Sequence, residues 1–252
     1  MTQATLPTTR DEEWRYADIA SLARLGADTL ESWTSLEVAP GETHCQCLLL
    51  DASAPQVQRL RVTVGEGGTC AIFVVNAAQD YARLEVEVTL KQAAHFEFGG
   101  VTIGGGDAVR EIVTRVTHAA PDATSNQVVR SVHWGQATGN FLGRIMVARH
   151  AQKTDATQDF KALLLEKGAS ANARPELEIF ADDVKCAHGA AIGQMDEAAR
   201  FYMASRGIDP EAARRLLIRA FIADALVALD DDGERERLQN AALAVLEAEV
   251  AA

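Results

Sequence analysis

The sequence predicts a mainly β body followed by a C-terminal α-helical subdomain. From about residue 36 to 192, short segments alternate apolar and polar side chains, and Gly, Asn, Asp and Pro separate them, which is typical of strands joined by turns. After Gly193 the apolar residues recur at helical spacing. The chain has 252 residues, 48% of them hydrophobic, which is enough for one large core with a small appendage. We therefore expect a short N-terminal segment (1–35), a β core (36–192) and a helical subdomain (193–252).

The first 192 residues are assigned in order along the chain. The run Asp11–Asp18 predicts a helical turn, with Trp14 and Tyr16 suited to anchor it on the β core. The later β segments recur at intervals of roughly 15 residues, so a regularly wound structure must be considered, and sandwich, barrel and β-helix all stay open on the pattern alone. The segments that read as strands are Leu60–Val64, Leu84–Leu90, Phe96–Ile103, Glu111–Thr117, Gln127–His133, Phe141–Ala148, Phe160–Glu166 and Glu176–Phe180.

Three helices are predicted after residue 193. The first runs over Met195–Arg206 and ends at Gly207, and the second begins after the N-cap Asp209 with Pro210 in its first turn. An acidic break at 230–233 separates the second helix from a final one at Glu234–Val250. The subdomain is small for an independent core, so it packs on the β core or offers an apolar face to a partner. The apolar stripe of the second helix consists of Leu216, Leu217, Ala220, Phe221, Ala225, Leu226 and Leu229.

Composition excludes several classes of protein. The formal charge is −12 and no cluster of Lys and Arg is present, which argues against a nucleic-acid partner. No run of about 18 apolar residues is present, and the N-terminus lacks the charged and apolar regions of a secretory signal. The four cysteines, Cys45, Cys47, Cys70 and Cys186, are not spaced as a disulfide framework. We therefore expect reduced thiols in a cytoplasmic protein without a membrane partner.

The run Glu176–Gly189 contains the strongest candidate site. If it stays extended, Asp182, Val184, Cys186 and His188 share one face. A Cys and a His side by side can bind a soft or borderline metal such as Fe, Zn or Cu. Two ligands do not complete a site, so another chain or distant residues must supply the rest. The plain interpretation is that Cys186 is a small buried hydrophobe and His188 a strand-end residue.

Other candidate motifs are weaker. His44–Cys47 places two thiols on one strand face, but no second Cys pair completes a zinc site. The glycine-rich run Gly99–Gly106 has neither the G-K-[ST] ending nor the strand–turn–helix setting of a phosphate-binding loop, so it reads as turns. No G-x-S-x-G elbow is present. His118, His133 and His150 lie near strand ends, where a lone histidine is usually structural or exposed.

Five motifs carry a family resemblance, and in chain order they are Gly139–Val147, Ala151–Gln158, Leu163–Leu165, Arg174–Gly189 and Phe201–Ile208. Together they resemble the SufB/SufD family of the SUF iron–sulfur cluster assembly machinery. Asp11–Tyr16 also resembles the entry segment of its SufD branch. The Cys-Ala-His-Gly form at the end of the run is similar to SufD, and Leu163–Ala173 has no Cys where SufB members generally carry one. The N-terminal region is shorter than in long SufD members.

The resemblance implies a right-handed parallel β-helix capped by the C-terminal helices. It implies a non-enzymatic scaffold that pairs with a SufB-like paralogue and binds a SufC-like ATPase, with an iron–sulfur cluster formed transiently at the SufB–SufD interface. It assigns His188 to that interface, with Cys186 beside it, and makes His188 a metal ligand shared with the partner. No cofactor is expected to bind tightly to this chain alone, while a flavin and a homodimer are left open. The residues assigned to ATPase docking are Phe201, Tyr202, Arg206, Leu216, Leu217 and Phe221.

Two other functions compete with this one. The first is a metal-dependent all-β enzyme with His and Cys ligands, which requires several histidines to converge in the isolated chain. The second is a plain interaction protein in which Cys186 and His188 are both structural.

Overall fold

The computed structural model describes residues 6–250. In this range α1 (Ile19–Leu25) and α2 (Ala27–Glu31) precede the strands, and α3 (Glu197–Ser205), α4 (Pro210–Ala223) and α5 (Asp232–Val250) follow them. The strands are β1 (Thr34–Val38), β2 (Thr43–Leu50), β3 (Gln56–Val64), β4 (Thr69–Asn76), β5 (Ala82–Leu90), β6 (His95–Gly104), β7 (Val109–His118), β8 (Thr124–His133), β9 (Thr138–Val147), β10 (Asp155–Leu164), β11 (Ser170–Ile179) and β12 (Lys185–Gly193).

Consecutive strands alternate between two parallel sheets. The odd-numbered strands form one six-stranded sheet and the even-numbered strands form the other, each in chain order. Every described strand pair is parallel. The chain therefore winds as a solenoid in which each coil contributes one strand to each sheet. This confirms the β-helix that the family resemblance implies, and it excludes an antiparallel sandwich or barrel.

Side chains that point into the solenoid stack on the side chains of the coils above and below. Leu84, Ile112 and Phe141 are register partners on successive odd strands, and all three are buried. Phe141 stacks on Phe160 of the even sheet, with ring centroids 5.6 Å apart and ring planes 8° apart. Burying a side chain of this size stabilises the fold by about 1.5–3 kcal/mol. We call this interior the lumen.

The C-terminal helices cover the outer face of the even sheet. Ile222 of α4 and Leu226 of the 3-10 turn after it form one buried cluster with Phe73 and Val101 of the sheet. The backbones also come close, because an added Cβ on Gly99 would lie 1.9 Å from the carbonyl oxygen of Ala225. The helical subdomain is therefore packed on the solenoid and is not a separate body.

The predicted apolar stripe of the second helix is largely covered by this packing. Ala225, Leu226 and Leu229 are buried, and Phe221 packs against the same cluster. Only Leu216, 50% exposed, and Ala220 remain on the outside. The stripe therefore faces the solenoid, and the α4 helix itself ends at Ala223.

The N-terminal segment covers the outer face of the odd sheet. The ring of Trp14 lies over the guanidinium of Arg83, 3.9 Å from its carbon, and Arg83 pairs with Glu111 at 3.3 Å. The carbonyl of Tyr16 accepts a hydrogen bond from the Asn140 amide at 3.1 Å. Trp14 is buried, which confirms its predicted role as an anchor. None of the helices in residues 6–250 is long and apolar enough to cross a membrane.

Candidate functional site

The strand β12 ends the even sheet, and β10 is its sole sheet neighbour among the described strands. Cys186 is the register partner of Ala156, and His188 is the register partner of Gln158. Ala156 and Gln158 are buried in the lumen, so Cys186 and His188 face the same way on the last coil. No further described coil covers them, and His188 is exposed while Cys186 is half-buried. The structure therefore places the predicted pair at the open end of the lumen.

The predicted face extends less far toward the N-terminus than the sequence indicates. β12 begins at Lys185, so Asp182 lies in the preceding turn and does not share the face of Cys186. Asp183 belongs to the same turn, where its amide donates to Oε1 of Gln152 at 2.9 Å. Both carboxylates are exposed. The chain turns at these two residues, so the alternation of faces expected of an extended strand does not apply to them.

The pair supplies two donors of suitable chemistry for iron. Burial raises the pKa of the Cys186 thiol, and the Asp155 carboxylate raises it further, so the thiol is protonated at neutral pH in this chain. The thiolate is the form that binds metals, and a positive charge is needed to stabilise it. Within residues 6–250 no group of three His, Cys, Asp or Glu side chains is placed to hold a metal ion. Sulfur and imidazole donors suit iron, but the remaining ligands must come from elsewhere.

An apolar rim surrounds the open end. Ile179 is 39% exposed, Phe180 52% and Ile192 46%. Ile192 continues the lumen face of β12, in register with the buried Ala162. These side chains lie on the last coil, and the outer edges of its strands β11 and β12 have no strand partner in the described structure. This end therefore has the properties of an interface.

The predicted docking residues divide into two groups. Phe201 is 76% exposed and Tyr202 is 59% exposed on α3, and the Arg206 guanidinium lies 5.0 Å from the Tyr202 ring centroid. Leu217 and Phe221 are half-buried on α4. The exposed members form a surface on the helices, and the half-buried members contribute to packing.

The other candidate thiols lie at the opposite end of the solenoid. Cys47 faces the N-terminal turn of α5, and burial raises the pKa of its thiol to about 12. Cys70 is fully buried, and burial also raises its pKa to about 12. Neither thiol is close to Cys186, so the His44–Cys47 motif does not contribute to the site at β12.

The lumen histidines do not join the site either. His118 and His133 are fully buried, and burial lowers their pKa values to about 4 and about 3. His133 is held by Thr102 at 3.2 Å and by the Gly104 carbonyl at 3.1 Å. Both are neutral at pH 7 and are tied into the coils that bury them.

Sequence reasoning missed Gln158 and Gln127. Both face the lumen directly inward of His188, with Gln158 next to it and Gln127 one strand further. The periodicity of the coils is the sequence signal that could align position 158 with position 188. Glutamine itself gives no signal, because it is not a residue type associated with metal binding.

A family model matches most of the chain. Residues 40–221 match the family model described as "SUF system FeS cluster assembly, SufBD core domain". The chain belongs to the SufB/SufD family. The match contains the Cys186–His188 pair and most of the solenoid.

The similarity to SufD proteins indicates that the chain is SufD-like. It is 38% identical over 125 residues to the iron–sulfur cluster assembly protein SufD of Escherichia coli, covering 50% of this chain and 30% of that protein. It is 33% identical over 166 residues to the SufBD family protein slr0076 of Synechocystis, covering 66% of this chain and 37% of that protein. It is 44% identical over 106 residues to the chloroplastic protein ABCI7 of Arabidopsis thaliana, covering 42% of this chain and 22% of that protein. The alignments thus span well under half the length of each relative.

Proposed function

We propose that this chain is the SufD-like subunit of a SUF assembly complex and pairs with a SufB-like subunit through its open coil. A nascent iron–sulfur cluster is the cargo handled where the two subunits meet. The observation that carries the proposal is the position of His188 and Cys186. They are two iron-compatible donors on the lumen face of the last coil, and their ligand set is incomplete.

The backbone of the open coil favours this kind of partner. The outer edges of β11 and β12 offer unpaired N–H and C=O groups, which a strand from another chain can pair with. Such a strand would also cover the apolar rim of Ile179, Phe180 and Ile192. A partner at this position stands next to His188 and can supply the missing ligands.

The helical subdomain is proposed to bind a SufC-like ATPase. The sequence has no G-x-x-x-x-G-K-[ST] motif, so nucleotide hydrolysis is assigned to the partner. The docking surface is narrowed to the exposed side chains of Phe201, Tyr202, Arg206 and Leu216, because Leu217 and Phe221 are half-buried. The chain itself then acts as a scaffold, without an enzymatic step of its own.

The test is reconstitution with a SufB-like paralogue and a SufC-like ATPase. We expect the three proteins to co-purify, and His188→Ala to lower the yield of cluster while the complex still assembles. His95→Ala is the matched control, because His95 is a partly exposed histidine on β6 of the same sheet. Full cluster yield in His188→Ala contradicts the site, and failure of the chain to bind partners that bind each other contradicts the complex.

A further inference from the structure

Two glutamines lie in the lumen inward of His188. Gln127, Gln158 and His188 belong to the consecutive even strands β8, β10 and β12 and are register partners. Register partners of parallel strands project to the same face, and neighbouring strands lie about 4.8 Å apart. The side chain of Gln158 is therefore the next one inward from His188, and the side chain of Gln127 follows it.

Both amides are buried without a hydrogen bond. Gln158 is 2% exposed and Gln127 is 0% exposed, and neither Nε2 nor Oε1 of either residue has a partner in the described structure. A buried amide without a partner destabilises the folded state, whereas an apolar side chain of similar size avoids the penalty. Packing of the lumen therefore does not account for glutamine at these positions.

The Oε1 atom of Gln158 lies in the lumen without a donor. It lies 2.9 Å from the point that a Cβ on Gly143 would occupy. Gly143 is on β9 of the opposite sheet, so the amide reaches across the lumen into space that a side chain would fill. The ring of Phe141 borders the same point, with Cζ 2.6 Å from it, so the amide lies against apolar atoms and no donor there bonds to its oxygen.

We propose that Gln158 positions His188 for binding of ferrous iron, with Oε1 accepting the ring N–H that does not face the metal. A histidine that binds a metal through one ring nitrogen almost always donates the other N–H to a polar acceptor, which fixes its tautomer and orientation. When a partner covers the open coil, water has less access to His188, and Gln158 is the register neighbour of His188 on the lumen face, with an acceptor oxygen that no other group occupies. Gln158 does not touch the metal, so it is a positioning residue. This inference rests on the proposed function.

Three substitutions separate positioning from packing. Gln158→Leu removes the acceptor and keeps the approximate size of the side chain. Gln158→Glu restores an acceptor oxygen at the same distance from the backbone. Gln127→Leu removes the same kind of unpartnered amide one strand further from His188, which makes it the matched control.

The experiment measures Fe²⁺ affinity of the reconstituted complex by anaerobic competition with a chelator, together with the thermal midpoint of each variant chain. We expect Gln158→Leu to weaken Fe²⁺ binding by about 10- to 100-fold, as loss of a partner of a ligating histidine does, while its midpoint stays equal or rises. Gln158→Glu should retain affinity close to wild type, and Gln127→Leu should leave it unchanged. A structural role alone moves the midpoint and leaves the affinity as it is.

The outcomes that overturn the inference are distinct from those that overturn the proposed function. If His188→Ala loses Fe²⁺ affinity and Gln158→Leu does not, the positioning role is wrong and the proposed function stands. Equal losses of Fe²⁺ affinity in Gln158→Leu and Gln127→Leu also overturn the positioning role, because the effect then does not depend on contact with His188. If His188→Ala itself keeps wild-type affinity, both the proposed site at His188 and the inference are wrong, while the proposed complex is still judged by co-purification.

Discussion

The close approach of Gly99 to the helical subdomain predicts a large effect for a single methyl group. In Gly99→Ala the new Cβ would lie 1.9 Å from the carbonyl oxygen of Ala225 and 2.6 Å from Cδ1 of Phe73. Real Cβ atoms essentially never approach another heavy atom closer than 3.0 Å, so strand β6 and the turn after α4 must separate by about 1.1 Å, the difference of the two distances. Neither neighbour can yield easily, because one is backbone and Phe73 is fully buried.

The expected destabilisation follows from this separation. Overpacking of a well-packed core costs about 1–3 kcal/mol, and we expect the upper part of this range here because the obstacle is rigid. For a chain of this length each kcal/mol lowers the thermal midpoint by about 2–4 °C, so a penalty of about 3 kcal/mol lowers it by about 6–12 °C. The helices should also become more accessible to protease, because Ile222 and Leu226 lose contact with the sheet.

Circular dichroism melts and limited proteolysis measure these two effects. The matched control is Gly193→Ala, since a Cβ at Gly193 meets nothing within 4 Å and Gly193 is also a strand residue. If Gly99→Ala melts at the same midpoint as Gly193→Ala and its helices resist protease equally, the described packing between β6 and the helices is wrong.

Two further predictions concern pH and ATPase docking. Because burial holds the pKa of His133 at about 3 and that of His118 at about 4, the unfolded chain takes up protons first as pH falls below about 6.5. The free energy of unfolding should therefore decrease by up to about 1.4 kcal/mol per pH unit for each histidine until the folded pKa is passed. His133→Asn should flatten this decrease in urea titrations at successive pH values, and an unchanged slope would contradict the assignment. Phe201→Asp should abolish capture of a SufC-like ATPase, whereas Val227→Asp should not, although the two side chains are 76% and 72% exposed; equal loss would place the docking surface elsewhere.

The alternation of side chains predicted most of the strands, but it missed β4, whose run is apolar on both faces. The predicted Leu84–Leu90 segment lies within β5. In contrast β4, Thr69–Asn76, was not among the predicted strands. Its Ile72 and Val74 face the lumen, and its Phe73 and Val75 lie beneath the helices, so the run is apolar throughout. A strand buried on both faces loses the period of two that identifies strands in a sequence.

The shared face of Cys186 and His188 was predictable from the alternation, whereas the residues around them were not. The motif around Cys186 and His188 pointed to soft-metal chemistry, and the structure places both on one face. The position of Gln158 inward of His188 depends on the register between coils, which the variable lengths of the corners hide in a single sequence. Asp182 was assigned to the same face because the alternation was extended through a turn that has no sequence pattern of its own.

The path of the chain at its open end has a mechanical consequence. After Gly193 the chain turns back, and the helices pack on earlier coils, with α4 and the following turn against β8 and β6. The helical subdomain is thus attached to the solenoid at two places. It packs on the middle coils, and a short linker joins it to the end of β12. A load applied to the helices divides between these attachments, and the linker transmits its share directly to the strand that carries Cys186 and His188. In the described structure that strand is hydrogen-bonded to β10 alone, so a load on the linker reaches a strand with a single sheet neighbour, at the coil where the cargo is proposed to be held.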